Sequence, residues 1–376
     1  MATITSIGVS DQDPVGALQG FLASLLESGV ADAVFTMRQR PGQKAVMPAL
    51  ITDPAMMTQA NPLSPAYPLS GARLLARLTH GETHGTVAAV LRPCELRAFI
   101  ELVKLNQASQ EGLLLIAVDC LGAMSNATWR EASAGADPKD LANRFVLAGG
   151  KIEGFPTARA CMACEHPTAA NADLAIGLVG VDAGTNLLVV SQTAAGEGAI
   201  DRLGLSDAPG GEAREAALAQ LTAEREAYRD QMFAETAEAT QDLSGLAAHL
   251  AGCVNCYNCR VACPVCYCKE CVFVTDVFDH KPWQYLGWAR KDGMLRMPTD
   301  TVFFHLTRMA HMSLSCVGCG QCSNACPNGI PVMELFRLVG ARTQEAFGYE
   351  AGRDAAEAPP LSVFKEEEFG ELTCSA

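Results

Sequence analysis

The sequence is short of positive charge. Its 376 residues hold 28 Lys and Arg against 42 Asp and Glu, a formal net charge of −14. Nucleic-acid phosphates need a basic surface, so a nucleic-acid partner is not expected. Long apolar runs are also missing. Stretches such as LLLIAV at 113–118 fall well below the ~20 residues a bilayer span requires, so no membrane span is expected. The first thirty residues have no basic n-region and no twin-arginine pair, and Asp11 and Asp13 break the apolar pattern before Pro14. No secretory signal is read there, and a cytoplasmic location is expected. Several catalytic signatures are absent too. GGKIEG at 149–154 lacks the G-x-G-x-x-G spacing, and there is no Gly-rich phosphate loop, G-x-S-x-G elbow or H-E-x-x-H helix. A Rossmann nicotinamide site is therefore poorly supported.

What the sequence has in quantity is cysteine. There are 16, eleven of them between Cys253 and Cys326. Disulfide frameworks belong to small exported domains. In a chain of this length and expected compartment, dense cysteines point to metal or redox chemistry.

Apolar residues make up 49%, enough for a substantial core. Residues 1–205 read as an α/β domain. VAAVL (87–91), LLLIAVDC (113–120), ADLAIGLVGV (172–181) and NLLVVSQ (186–192) look like strands buried on both faces, and ELRAFIELVKLNQ (95–107) has helical spacing. SDAPGG (206–211) is a break. Residues 206–240 read as a linker dominated by a solvated Ala/Glu/Arg-rich helix, which connects domains or docks a partner. Residues 241–345 read as helical, with LSGLAAHLAGCVNC and TVFFHLTRMAHMSLSC each running into a cysteine cluster, and 346–376 as an acidic flexible tail.

The clusters themselves are CVNCYNCRVACP (253–264) and CVGCGQCSNACP (316–327). Both are C-x2-C-x2-C-x3-C-P, the bacterial ferredoxin spacing for [4Fe–4S] clusters, in which the fourth cysteine ligates the other cluster. That rule assigns Cys253, Cys256, Cys259 and Cys326 to one cluster and Cys316, Cys319, Cys322 and Cys263 to the other. C-x2-C is also zinc spacing, so a zinc-bound structural protein is the competing reading, weakened by two complete runs. Helical sequence before each run suggests a helical dicluster ferredoxin module like those of heterodisulfide-reductase-type and fumarate-reductase-type subunits. Cys266, Cys268 and Cys271 follow the first run as either further cluster ligands or packed thiols, and Cys374 reads as a free thiol. His305 and His311 read as packed histidines. Trp283, Tyr285 and Trp288, beside Arg290, Lys291 and Arg296, read as cover for a cluster or a subunit interface.

Four cysteines remain. Cys94 follows a strand in LRPCELRAFIEL, Cys120 ends the strand LLLIAVDC, and Cys161 and Cys164 form RACMACEHP. Singly each could be a small buried hydrophobe. Strand ends are where α/β sheets bind ligands, so the four could converge on one cubane. The order of Pro93–Cys94, Cys120, Cys161/Cys164, and Ala172–Asp173 with Gly177 resembles the beta-subunit family of coenzyme F-420 (F420) hydrogenase and dehydrogenase. RPCELRAFIELVKL and CPVCYCKECVF resemble its formate dehydrogenase branch, with a fused ferredoxin module. The resemblance is good over roughly residues 80–200. It implies a third [4Fe–4S] cluster on Cys94, Cys120, Cys161 and Cys164. It also implies FAD near Asp173–Gly180, where Gly177 and Gly180 permit close backbone approach. Arg92, Arg97, Lys151 and Arg159 would contact phosphate or flavin, or else form ordinary ion pairs. Chemistry independently asks for a flavin, because clusters carry single electrons and need a two-electron partner.

The function implied is an iron–sulfur flavoprotein electron-transfer subunit. It would connect F420, or an equivalent carrier, to the catalytic subunit of a formate dehydrogenase or hydrogenase. The alternative is a non-catalytic relay to a heterodisulfide-reductase-like complex.

Overall fold

The computed structural model describes residues 3–81, 84–208 and 212–363. Cys374 and the end of the acidic tail lie outside these residues. Seven strands form one mixed sheet: β1 (Ile4–Gly8), β2 (Ala33–Gln39), β3 (Val46–Ile51), β4 (Val87–Leu91), β5 (Leu113–Val118), β6 (Leu174–Gly177) and β7 (Asn186–Ser191). Their order is β1-β7-β6-β5-β4-β2-β3. β2, β4, β5 and β6 run parallel, with Ala89 opposite Leu115 and Ala117 opposite Ala175. Antiparallel strands close both edges. The central strands are almost wholly apolar because both faces are covered. The strand expected over 172–181 is only four residues long. At its start the Asp173 carboxylate accepts from Leu115 N and Thr193 Oγ1; beyond its end, Leu178 and Val179 turn their N–H groups onto Asp119.

Helices α1 (Pro14–Glu27), α2 (Gly71–Leu78), α3 (Pro93–Lys104), α4 (Asn126–Ala134), α5 (Pro138–Leu147), α6 (Arg159–Met162) and α7 (Ala194–Leu203) intervene. Leu18 and Leu22 of α1, Val146 of α5 and Ile200 of α7 cover one face of the sheet against Val34, Ile116 and Ile176. Leu96, Phe99 and Ile100 of α3 cover the other against Ala89, Leu115 and Ala117.

The rest of the chain supplies α8 (Glu212–Ala239), α9 (Leu243–His249), α10 (Asn258–Ala262), α11 (Pro282–Asp292), α12 (Thr301–Met312), α13 (Gln321–Asn324) and α14 (Val332–Ala346). Met309 and Met312 of α12 and Leu335 and Phe336 of α14 enter the same core as α3. The cysteine-rich half is thus packed onto the sheet through a continuous apolar interior. α8 is solvated along most of its length, as its composition suggests, but a few positions also fasten it to the sheet. Arg225, Met232 and Thr236 are buried, and Arg214 holds the helix to the sheet with two hydrogen bonds to Asp119, at 2.5 and 2.9 Å. α8 docks with arginine tips and with a short apolar patch of Tyr228, Met232 and Phe233 against Ala160, Ala163 and Met333, too brief a stripe for periodicity to detect. Among the described residues, no helix is long and apolar enough to cross a membrane.

Candidate functional site

The two ferredoxin runs form matching loops. Asn255 and Tyr257 of the first and Gly318 and Gly320 of the second occupy equivalent positions, all with positive φ, from 50° to 75°. This backbone turns each loop around its own centre. Asn255 N–H points at Cys253 Sγ, 3.5 Å away. Asn255 holds the strained conformation through its side chain, which donates to Asp300 and accepts from Thr301.

Cys253, Cys256, Cys259 and Cys326 line one cavity, with about 340 Å³ of empty space. Cys263, Cys316, Cys319 and Cys322 line a second, with about 410 Å³. Each cavity takes three cysteines from one run and the last from the other, the crossing expected from the spacing. Both linings are otherwise mainly apolar, and their donor sets fit cubanes. Among the described residues no three His, Cys, Asp or Glu side chains close on a single metal ion. Burial raises these thiols: Cys259 to about 11, and Cys319 and Cys322 well above their usual value. Ligation requires thiolates, so metal loading here releases protons.

Arg308 of α12 serves both cavities. Only 4% exposed, it donates to Cys259 Sγ at 3.1 Å and to Cys259 O at 3.2 Å, and it also lines the second cavity. Its guanidinium lies over the rings of Phe304 and Phe336. His305 is packed as expected, with Nε2 3.4 Å from Cys253 Sγ. Burial, then Arg308 and His249, depress its pKa to about 4. His311 is exposed.

The third set gathers at the carboxyl ends of adjacent parallel strands. Cys94 opens α3 just after β4, Cys120 follows β5, and Cys161 and Cys164 come from α6 and the turn after it. They lie within electrostatic reach: Cys120 and Cys164 raise Cys94, and the same pair raises Cys161. Burial is the larger cause, and it takes Cys161 to about 12. Cys161 Sγ accepts from Ala123 N at 3.3 Å. Arg225 of α8 donates to Cys120 O at 2.9 Å and to Cys164 O at 3.5 Å. Four partly buried thiols gathered at neighbouring strand ends suit one further cubane.

The third set adjoins the second. Cys94 is among the charges that raise Cys319. Tyr67 ties the two together: its hydroxyl is 3.6 Å from Cys94 Sγ, and its carbonyl accepts from Gln321 and Asn324, both at 2.9 Å. Gly320 fits because a Cβ there would lie 2.4 Å from Ala160 Cβ of α6.

The seven residues expected around a flavin are not brought to one place. Arg92 caps α3 and donates to the Ser64 and Ala66 carbonyls. Arg159 is half exposed and pairs with Glu235 and Glu334. Lys151 is exposed, and Asp173 is fully used by Leu115 and Thr193. The expected close approach at Gly177 and Gly180 is made by α8. A Cβ on Gly177 would lie 3.1 Å from the Arg214 guanidinium, and one on Gly180 2.5 Å from Arg214 Cα. Gly180 also borders a cavity with about 850 Å³ of empty space. That cavity shares Leu121, Val146 and Leu178 with a narrower one reaching Arg92 and Cys120. Arg97 instead lines a separate cavity, with about 760 Å³.

Residues 84–206 match the family described as the C terminus of the coenzyme F420 hydrogenase/dehydrogenase beta subunit, and residues 249–330 match the 4Fe-4S dicluster domain. Two successive segments of the chain thus match an F420 hydrogenase/dehydrogenase beta-subunit family and a 4Fe-4S dicluster family. Among its relatives is the F420-dependent formate dehydrogenase subunit beta of Methanocaldococcus jannaschii, 24% identical over 375 residues, covering 92% of this chain and 93% of the relative. The F420-dependent formate dehydrogenase 1 subunit beta of Methanococcus maripaludis is 26% identical over 378 residues, covering 92% of each. A chain from the xenon-derivatized F420-reducing [NiFe] hydrogenase complex of Methanosarcina barkeri is 15% identical with a TM-score of 0.44. That match covers 64% of this chain and 94% of the other.

Within this beta-subunit and dicluster pairing the leftover cysteines scatter. Cys266 is buried, Cys268 is exposed, and Cys271 packs partly buried near Phe273 and Phe304. Trp283 is 68% exposed, whereas Tyr285 and Trp288 pack around His280. Sequence reasoning missed Tyr67, Arg225 and Arg308. Only Arg308 carried a usable signal, the one Lys or Arg of a helix that leads into a cysteine run.

Proposed function

We propose that the chain is the electron-transferring beta subunit of an F420-dependent formate dehydrogenase or hydrogenase complex. The observation that carries this reading is the contiguity of the three cysteine sets. Cys94 of the third set bears on Cys319 of the second, and Arg308 links the second to the first. The set ends at Cys256, the one ligand in these three sets that is exposed.

The chain's own residues hold this line in place. Tyr67 and Gly320 keep the second loop against α6, Arg225 clamps Cys120 and Cys164, and Arg308 supplies buried positive charge beside thiolate-rich sites. Bound clusters would supply one-electron transfer, and a bound FAD the exchange of electron pairs with the carrier. The formate or hydrogen chemistry would belong to a partner subunit.

Anaerobically purified protein is expected to be brown, to hold about 12 irons as three cubanes, and to contain one FAD. It should reduce a one-electron dye with reduced F420. A colourless, zinc-loaded protein, or one with full iron and no flavin, would overturn the assignment.

A further inference from the structure

Tyr67 stands between the third cysteine set and the second, and its two ends do different things. It lies in SPAYPL, residues 64–69, where Pro65 and Pro68 keep the backbone out of a helix. The segment is fastened from several sides. Arg92 donates to the Ser64 and Ala66 carbonyls at 2.7 and 2.6 Å, and Met124 N–H to the Pro65 carbonyl at 2.8 Å. Gln321 and Asn324 of the second ferredoxin run donate to the Tyr67 carbonyl. The Tyr67 side chain is buried, and the Arg92 guanidinium lies over its ring, 4.6 Å from the centroid. The phenol is thus aimed, and its hydroxyl reaches Cys94 Sγ at 3.6 Å.

Either atom of that contact can donate while Cys94 is a thiol. A cluster-bound thiolate has no proton, so once Cys94 ligates iron the Tyr67 hydroxyl is the donor and the sulfur the acceptor. The neighbouring Glu95 carboxylate is occupied elsewhere, accepting from the Gly71 and Arg92 N–H groups at 2.6 and 3.0 Å. The guanidinium over the ring draws electron density from the phenol and strengthens its O–H as a donor. Cys161 receives its hydrogen bond from a main-chain N–H, that of Ala123. Cys94 receives one from a side chain, which a substitution can remove.

We propose that Tyr67 is a positioning residue for electron transfer: its hydroxyl, hydrogen-bonded to Cys94, raises the reduction potential of the third cluster, while its carbonyl separately holds the loop of the second. A hydrogen bond to a ligating sulfur stabilises the more negative, reduced cluster more than the oxidised one. The proposal rests on the third cubane that figures in Proposed function, and it adds the residue that poises that cubane against its neighbour.

The test uses the full chain, purified anaerobically, in redox titrations followed by EPR, with the signal that Cys161→Ala abolishes taken as the third cluster's. Tyr67→Phe keeps the ring under Arg92 and the carbonyl on Gln321 and Asn324, and deletes only the hydroxyl. At a fixed solution potential it should lower the third cluster's reduced-to-oxidised ratio about tenfold, a downward shift of about 59 mV for one electron. The two dicluster signals and the iron content should stay as they are. Pulsed ENDOR after exchange into deuterium oxide should show one fewer exchangeable proton coupled to the third cluster in Tyr67→Phe than in the parent. A ring-fluorinated tyrosine at position 67, whose more acidic hydroxyl donates more strongly, should move the potential upward, and it decides the matter if Tyr67→Phe loses iron. An unchanged third potential in either variant with full iron, or an equal shift in all three clusters, would overturn the proposal. A parent protein with about eight irons and no signal that responds to Cys161→Ala would overturn the third cubane itself, and the proposal with it.

Discussion

At the scale of single residues, the decisive groups are those that touch the cysteines without being ligands. Arg308 donates to Cys259 and lines the neighbouring cavity, so its charge bears on two clusters at once. A nearby cation and a hydrogen bond to sulfur both favour the more negative, reduced cluster. Arg308→Gln is therefore expected to lower the reduction potentials of both dicluster-domain clusters and leave the third unchanged. A redox titration followed by EPR reads this directly, and a shift confined to one cluster would contradict the shared role. The crossing of ligands has its own test. Cys263→Ala should erase the same EPR signal as Cys319→Ala, and Cys326→Ala the same as Cys256→Ala, each with loss of about four irons. Cys161→Ala should also remove about four irons, and an unchanged total would remove the third site.

Among elements, α8 matters most. It lies so close to the loop after β6 that Gly180, at φ +70°, has no room for a side chain. Gly180→Ala combines a left-handed backbone with overlap against Arg214. It is expected to cost about 1–3 kcal/mol, measurable by denaturant unfolding, and to loosen Arg225 from Cys120 and Cys164. A variant as stable as the parent would mean that α8 moves away without penalty. This helix also shows where sequence reading stops. The two cysteine runs were legible because ligand spacing is itself geometry, and β4, β5 and β7 because continuous apolar runs mark doubly covered strands. α8 hid its importance by docking through Arg214, Arg225 and Arg229, residues that composition assigns to solvent. β1, β2 and β3 escaped notice because nothing in their sequence stands apart from its surroundings. The third cysteine set was legible only as a possibility from its strand-end positions and became a definite ligand set through resemblance, since its members are far apart in sequence and meet through the order of β4 and β5. The close approach at Gly177 and Gly180 was read without its partner for a related reason: glycines that permit close approach do not say what approaches, and here it is α8.

At the scale of the whole molecule, sheet and dicluster domain share an interior. Met309, Met312, Leu335 and Phe336 are buried against the α3 side of that core. Residues 241–345 produced alone should therefore bind a hydrophobic dye and lose the second cluster, whose cavity includes Met312 and Phe336. An isolated segment that keeps about eight irons and binds no dye would show the interface to be dispensable. The pair of matching loops also gives the molecule a direction in time as well as in space. The loop with Gly318 and Gly320 has given up side chains so that Arg337 and Ala160 can seal it. Its twin keeps Asn255 and Tyr257 and leaves Cys256 in contact with solvent. In air the molecule should therefore corrode from one end: the cluster on Cys256 bleaches first, and the sealed one outlasts it.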